Sequence, residues 1–64
     1  MDLSIPDMSC GHCRASVTQA LTDLDPKAVV QVDLPARRAH VETVASLDAV
    51  IAALGAIGFE AKAA

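Results

Sequence analysis

The sequence has almost no aromatic residues: one of its 64 residues is Phe, and Trp and Tyr are absent. Positive charge is also scarce, with five Lys and Arg against eight Asp and Glu and a net charge of −3. A nucleic-acid-binding domain usually has a basic face, often with aromatic side chains that stack on bases. We therefore expect no nucleic-acid partner. Since 53% of the residues are apolar, we expect an aliphatic core in a single small domain spanning residues 1–64.

Long apolar segments and cysteines are rare as well. No apolar run approaches the roughly 20 residues of a transmembrane helix, and no basic start precedes an apolar signal segment. We therefore expect a cytoplasmic protein without direct membrane insertion. The only cysteines are Cys10 and Cys13. Two thiols at this spacing do not make a disulfide framework, and in a reducing compartment they indicate metal binding or redox exchange.

Residue periodicity predicts six elements in the order βαββαβ. The strand segments alternate apolar and polar residues, and the helical segments repeat apolar residues every three or four positions. The predicted segments are strand 2–6, helix 13–24, strand 30–34, strand 39–43, a helix that follows the N-cap Ser46 and closes at Gly58, and strand 59–63. This order predicts an α+β, ferredoxin-like sandwich: a four-stranded antiparallel sheet with two helices on one face.

The chain connections of this topology have a predictable placement. Right-handed crossovers make the first two strands run in the same direction, so the third and last strands run back. The cysteine loop, the Pro35–Arg38 hairpin and the Ile57–Phe59 turn then lie at one end of the domain. We expect residues that are distant in sequence to share a surface there.

The two cysteines have the chemistry of a soft-metal site. We expect Cys10 in a loop and Cys13 at the opening of the first helix, where the helix N-terminus and Arg14 favour the thiolate. Two sulfur ligands suit copper(I), whereas structural zinc normally needs four protein ligands. The other candidate ligands are His12 and His40, and nothing places His40 near the loop. Thiol–disulfide exchange is the main rival, but 64 residues leave no room for a thioredoxin-like fold.

The chain resembles the heavy-metal-associated domain family, and within it the small bacterial copper chaperones. The segment Met8-Ser9-Cys10-Gly11-His12-Cys13 matches the family pattern M-x-C-x-x-C, and Ala56-Ile57-Gly58-Phe59 resembles the family turn A-I/L-G-Y/F. The resemblance implies that Cys10 and Cys13 bind one Cu(I) and that the protein is not an enzyme. It also implies transfer of the ion by thiol ligand exchange to the metal-binding domains of a copper-transporting P-type ATPase. Members of the family can also form copper-bridged homodimers through their cysteine loops.

Two positions near the cysteines depart from the family pattern. Asp7 replaces a common Gly, and its carboxylate is expected to raise the pKa of the thiols. Phe59 replaces a common Tyr, so a hydroxyl that would hydrogen-bond near the sulfurs is absent; we expect Phe59 to pack in the core or on the loop. Met8 is expected to pack under the loop as a flexible apolar side chain rather than bind the metal.

Other residues have two interpretations each. His12 is either a third metal ligand or, as we favour, an exposed residue that tunes the acidity of the thiols. His40 is expected to be simply solvated. The side chains of Arg14, Arg37 and Arg38 are either ordinary solvated charges or a set that steers docking onto an acidic partner.

Three alternative functions stay open at this point. The chain could serve as a carrier or sensor domain for mercury, cadmium or zinc. It could also be a thiol–disulfide exchange protein. The third alternative is an interaction module that uses only the sheet.

Overall fold

The fold has the predicted order of strands and helices. A computed structural model describes all of residues 1–64, in six elements. These are β1 (Asp2–Ser4), α1 (Gly11–Leu24), β2 (Val29–Asp33), β3 (Arg38–Glu42), α2 (Leu47–Ala56) and β4 (Lys62–Ala63). The four strands form one antiparallel sheet in the order β2-β3-β1-β4. The ferredoxin-like βαββαβ fold is thus confirmed. Neither helix combines the length and apolarity of a membrane span.

Several boundaries differ from those expected. Strands β2 and β3 each lie one residue earlier than predicted. The turn between them starts at Leu34, whose carbonyl accepts a 3.0 Å hydrogen bond from the Arg37 N–H, so β2 ends at Asp33. Arg37 has a left-handed φ of 56° and belongs to the turn, so β3 begins at the next residue, Arg38. The last strand keeps two of its five predicted residues. Its predicted first residue, Phe59, instead donates its N–H to the Leu54 carbonyl at 2.9 Å.

The core is aliphatic, as the composition predicts. Strand β3 shows the packing pattern: Ala39 and Val41 are buried against the helices, while Arg38, His40 and Glu42 lie on the opposite face of the sheet. No polar side chain is buried. The ten buried residues are Leu3, Ile5, Met8, Val17, Leu21, Ala39, Val41, Val50, Leu54 and Ala61. The helices therefore cover one face of the sheet and leave a polar face open.

Helix α2 begins and ends at residues that suit those positions. The Ser46 hydroxyl accepts a 3.1 Å hydrogen bond from the Ala49 N–H, which confirms Ser46 as the N-cap of α2. Gly58 follows α2 with a φ of 90°, a conformation that glycine adopts without the penalty of a Cβ atom. The predicted closing glycine is therefore also confirmed, and the chain turns there, at the cysteine end, towards β4.

Candidate metal site

Cys10 is the N-cap of α1. Its backbone is extended, with φ −143° and ψ 165°, and its Sγ accepts a 3.3 Å hydrogen bond from the Cys13 N–H. A side-chain acceptor at this position satisfies a backbone donor that the helix leaves unpaired. The helix consequently begins at Gly11, and Cys13 is its third residue. The prediction that Cys13 opens the helix is wrong, because the helix begins two residues earlier. The sulfur of Cys10 acts as its N-cap, a role usually played by an oxygen of Ser or Asp.

The two thiols face each other at the start of α1. Their Sγ atoms are 2.8 Å apart, and both cysteines are free. Cys10 is exposed and Cys13 is half-buried. A metal–sulfur bond of about 2.3 Å sets a separation of about 4.6 Å for two sulfurs on opposite sides of an ion. Because Cys10 is exposed, its thiol can turn outward towards that separation, as binding of a two-coordinate cation requires.

The site favours the thiolate form of Cys13. The hydrogen bond with the Cys10 sulfur is the main cause that lowers the pKa of Cys13 from its ordinary value, and a backbone contact at Ser9 acts in the same direction. Partial burial opposes this effect without reversing it. The rise in thiol pKa expected from Asp7 is therefore not found at Cys13. Because the thiolate is the form that binds metals, the lowered pKa favours binding at neutral pH.

The residues before Cys10 are anchored in the core and to the hairpin. Met8 is fully buried, as predicted, and its N–H donates to the Ile5 carbonyl at 3.0 Å. The Ile5 N–H donates to the Arg37 carbonyl at 2.9 Å, and the Arg37 Nη1 donates to the Pro6 carbonyl at 3.1 Å. These contacts confirm that the cysteine loop and the β2–β3 hairpin meet. They also hold the loop in place as far as Met8, two residues before Cys10.

His12 points to a groove beside the thiols. The exposed His12 lines this groove together with Ile57 and Phe59 from the α2–β4 turn, and the α1 residues Ala15, Ser16, Gln19, Ala20 and Asp23 complete it. The third predicted connection therefore also reaches the metal end. Phe59 is half-buried and packs against the core, as expected. The chain contains no group of three or more His, Cys, Asp or Glu side chains that converge on one point.

His40 lies on the open face of the sheet, away from the cysteines. Its Nδ1 is 2.6 Å from Asp2 Oδ1, and its Nε2 is 3.5 Å from Glu42 Oε1. The hydrogen bond to Asp2, followed by that to Glu42, raises the pKa of His40. The expectation of a simply solvated His40 is wrong. The pairing was missed because Asp2 and His40 are 38 residues apart and meet only through the β1–β3 register.

The three arginines do not form one cluster. Arg14 follows Cys13 in α1 and is exposed. Arg37 braces the base of the cysteine loop through Pro6. Arg38 begins β3 opposite Ser4, on the open face of the sheet. Two of the three thus lie on or against the segments that carry the cysteines, and the third lies at the same end on another face.

Comparisons with known proteins point to metal-binding relatives. A family model described as the heavy-metal-associated domain matches residues 2–60. A gold binding protein has a similar solved structure with a TM-score of 0.94 and 37% identity, over 97% of this chain and 95% of that chain. The copper chaperone Atx1 from Synechocystis PCC6803 gives a TM-score of 0.94 and 27% identity over 97% of this chain and 98% of its own.

A third similar structure is a heavy metal binding protein from Thermotoga maritima, with a TM-score of 0.83 and 32% identity over 97% of this chain and 90% of that chain. The search of curated proteins gives no match. The similarities extend over nearly the whole chain and include the cysteine loop.

Proposed function

Since the chain belongs to the heavy-metal-associated domain family, we propose that it is a copper(I) chaperone and not an enzyme. It binds one Cu(I) between Cys10 and Cys13 and passes the ion to a protein partner. The observation that carries this proposal is the pair of free thiols, 2.8 Å apart, at the exposed N-terminus of α1. Similarity to the copper chaperone from Synechocystis PCC6803 supports the choice of ion.

The coordination chemistry also supports copper(I). Thiolates are soft ligands that select Cu(I) over hard divalent cations. Structural zinc is almost always held by four protein ligands, and only two thiols meet at this loop. A two-coordinate ion is stable as Cu(I) and keeps room for an incoming thiolate. The same arrangement therefore permits both binding and release.

The unequal exposure of the two cysteines suggests an order for the transfer. A thiolate of the partner adds to the ion as a third ligand. The sulfur of Cys10, which is exposed at the helix cap, then leaves and takes up a proton. Cys13, half-buried and with a lowered pKa, leaves last, when a second partner thiolate replaces it. The copper stays Cu(I) throughout, so no electron acceptor is needed.

The receiving partner in this proposal is a metal-binding domain of a copper-transporting P-type ATPase. Arg14 follows Cys13 in α1 and Arg37 contacts the start of the cysteine loop, in a chain whose net charge is −3, so an acidic face on the partner would match this end of the molecule. A cytoplasmic location accords with two free thiols, which a reducing compartment preserves. Copper-bridged pairing of two copies through their loops is part of the same proposal.

Competition with a chromophoric Cu(I) chelator tests the binding step. The metal-free, reduced chain should withdraw one equivalent of Cu(I) from the chelator. Cys10→Ser and Cys13→Ser should each lower the affinity by at least about a hundredfold, the loss expected when one of only two ligands disappears. Serine is a good N-cap, so Cys10→Ser keeps α1 and isolates the lost ligand. Full affinity in both variants would overturn the proposal.

A second candidate is a carrier for another soft ion. The gold binding protein that is 37% identical to this chain favours gold(I) in that role, and mercury, cadmium and zinc also bind thiolates. Equimolar Cu(I), Au(I) and Zn(II) offered together to the metal-free chain distinguish these functions by mass spectrometry. Predominant Cu(I) loading supports the copper chaperone, and predominant gold or zinc loading replaces it.

The thiol–disulfide alternative has a separate test. The metal-free dithiol would have to reduce a disulfide substrate repeatedly in the presence of a regenerating reductant. The chaperone proposal expects no turnover above that of a free dithiol. Sustained turnover would assign the Cys10–Cys13 pair to redox exchange instead.

A further inference from the structure

Strand β2 is an open edge of the sheet. It pairs with β3 on one side only, through five one-to-one residue pairs from Val29–Glu42 to Asp33–Arg38, without a bulge. Natural edge strands usually prevent further pairing with Lys, Pro, a bulge or a covering segment. The β2 sequence, VVQVD, has no Lys, Pro or Gly. Apart from the charged Asp33 at its end, this edge therefore lacks the usual devices that block addition of another strand.

The backbone groups that face outward belong to Val30 and Val32. The Val41 N–H donates to the Met1 carbonyl at 2.8 Å, so Val41 and the alternate residues of β3 bond towards β1. The remaining residues of β3 bond towards β2. Their partners in β2 are Val29, Gln31 and Asp33. The N–H and C=O groups of Val30 and Val32 consequently point away from the sheet.

A second copy of the same strand fits this edge in one register. The neighbouring Ala28 N–H already donates to the Asp25 carbonyl at 2.9 Å, so it is not free to pair. An antiparallel arrangement centred on Gln31 needs only Val30 and Val32. It places Val30 of each copy opposite Val32 of the other and forms four N–H···O bonds.

The side chains are compatible with this register. Gln31 lies opposite its own counterpart, and Asp33 lies opposite the apolar Val29, so no like charges face each other. On the helix side, Val30 and Val32 are only half-buried although they pack against the core. Pairing would cover these two side chains from the open flank. Charge and apolar burial therefore both permit the contact, as a two-fold interface requires.

We propose that two copies of the chain associate through their β2 edges, antiparallel and centred on Gln31, into one eight-stranded sheet. Because β2 ends at the metal end of each domain, this arrangement places the two cysteine loops at opposite ends of the dimer. It needs no metal, and it leaves both thiol pairs accessible. It therefore differs from a copper-bridged dimer and is independent of the proposed copper function.

Sedimentation of the metal-free chain, with reductant and chelator present, tests the proposal. The wild-type chain should self-associate as its concentration rises to millimolar. Val32→Pro removes one outward N–H from each copy, and hence two of the four intermolecular bonds, while the bonds to β3 remain. The dissociation constant should rise by about tenfold or more. Val32→Thr keeps the N–H and the β-branch and should change the constant by less than about threefold.

Two sedimentation results would overturn the proposal. One is a wild-type chain that stays monomeric over the whole concentration range. The other is a dimer that Val32→Pro leaves unchanged, since such a dimer uses another surface.

Amide hydrogen exchange in the wild-type chain provides a test that does not depend on a proline variant. The Val30 and Val32 amides should gain protection as protein concentration rises. The Gln31 amide, already bonded to β3, should stay equally protected at all concentrations. Exchange at Val30 and Val32 that is independent of concentration would contradict the proposal, even if Val32→Pro proved unable to fold.

Discussion

The sulfur of Cys10 has two roles in this structure. It caps α1 by accepting the Cys13 N–H, and it lies 2.8 Å from the other thiol. From the first role we predict how substitutions at position 10 change the free energy of unfolding. Cys10→Ala should be less stable than Cys10→Ser by about 1 kcal/mol, because serine restores the cap and alanine does not. Urea denaturation of the two reduced, metal-free variants measures this difference. Equal stability would show that a side-chain cap at position 10 contributes nothing to the helix start.

His40 makes a prediction about pH. Its pKa is raised by the bonds to Asp2 and Glu42, so the protonated form is favoured in the folded chain. A raised folded-state pKa gives stability that is complete below the unfolded value and is lost as pH rises through the folded value. The free energy of unfolding should therefore fall as pH increases from about 6.

The His40→Gln variant provides the control for this prediction. It removes the titrating ring, so its unfolding free energy should vary less with pH than that of the wild type over the same interval. The comparison requires denaturation curves at several pH values in one buffer series. Parallel curves for the two chains would rule out His40 as the source of the change.

The candidate ligands, their supporting residues and His40 differ in how far the sequence predicts their placement. The spacing of Cys10 and Cys13 and the chemistry of sulfur are local, so both candidates are found directly. The burial of Met8 also follows from its apolar, flexible side chain. The Asp2–His40 pair was missed because it depends on the exact strand register, which a short β1 of three residues barely specifies.

At the scale of secondary-structure elements, Asp25 links the end of α1 to the connection before α2. Its carboxylate accepts hydrogen bonds from the Thr43 hydroxyl at 2.6 Å, the Lys27 N–H at 3.1 Å and the Val44 N–H at 3.4 Å. The bond from Thr43 is the first cause that lowers the pKa of Asp25, followed by that from Lys27. These contacts tie together segments that are 18 residues apart.

We expect Asp25→Ala to lower the midpoint of thermal unfolding more than Asp23→Ala does. Asp23 bonds only to Gln19 on the surface of the same helix, and such pairs contribute little. Because the folded-state pKa of Asp25 is lowered, its contribution is present above the ordinary value and is lost as pH falls through the lowered one. The difference between the variants should therefore shrink in acid. An equal midpoint for both variants at neutral pH would refute the role of Asp25.

The boundaries of helices and strands are predicted correctly where the boundary residue has a strong conformational preference. Ser46 and Gly58 were identified correctly because caps and left-handed turns have strong residue preferences. The start of α1 was placed too late, because Cys is not a usual cap residue. The β2–β3 boundaries shifted because Arg37 adopts a left-handed conformation that its residue type does not indicate.

At the scale of the whole molecule, the handedness of the crossovers predicts the functional end. It brings the cysteine loop, the hairpin and the α2–β4 turn together, as the contacts of Arg37 with Pro6 and of Phe59 in the His12 groove confirm. Topology does not determine which face each side chain occupies: Arg38 lies at the predicted end, but on the open face of the sheet.

This placement makes a prediction about transfer. Charge reversal at Arg37 and Arg38, to Glu, should slow copper transfer to an acidic partner domain at low salt while leaving Cu(I) affinity unchanged. The substitutions remove the electrostatic attraction that guides docking, and this attraction is screened by salt. Lys27→Glu, at the opposite end, is the control, and the responses are compared per unit of charge because the double variant changes the net charge by four and the control by two. Stopped-flow transfer rates that respond equally, per unit of charge, to both changes would exclude a specific docking end.

Mass spectrometry under non-denaturing conditions, after addition of Cu(I) to the reduced chain, tests the central claim most directly because it counts metal and protein together. The copper chaperone predicts species with one copper per chain, or copper-bridged pairs at high protein concentration, and none in a chain with both Cys10→Ser and Cys13→Ser. Copper retained at one equivalent by that double variant would contradict the assignment of the ligands. A wild-type chain that acquires no copper would contradict the proposed function itself.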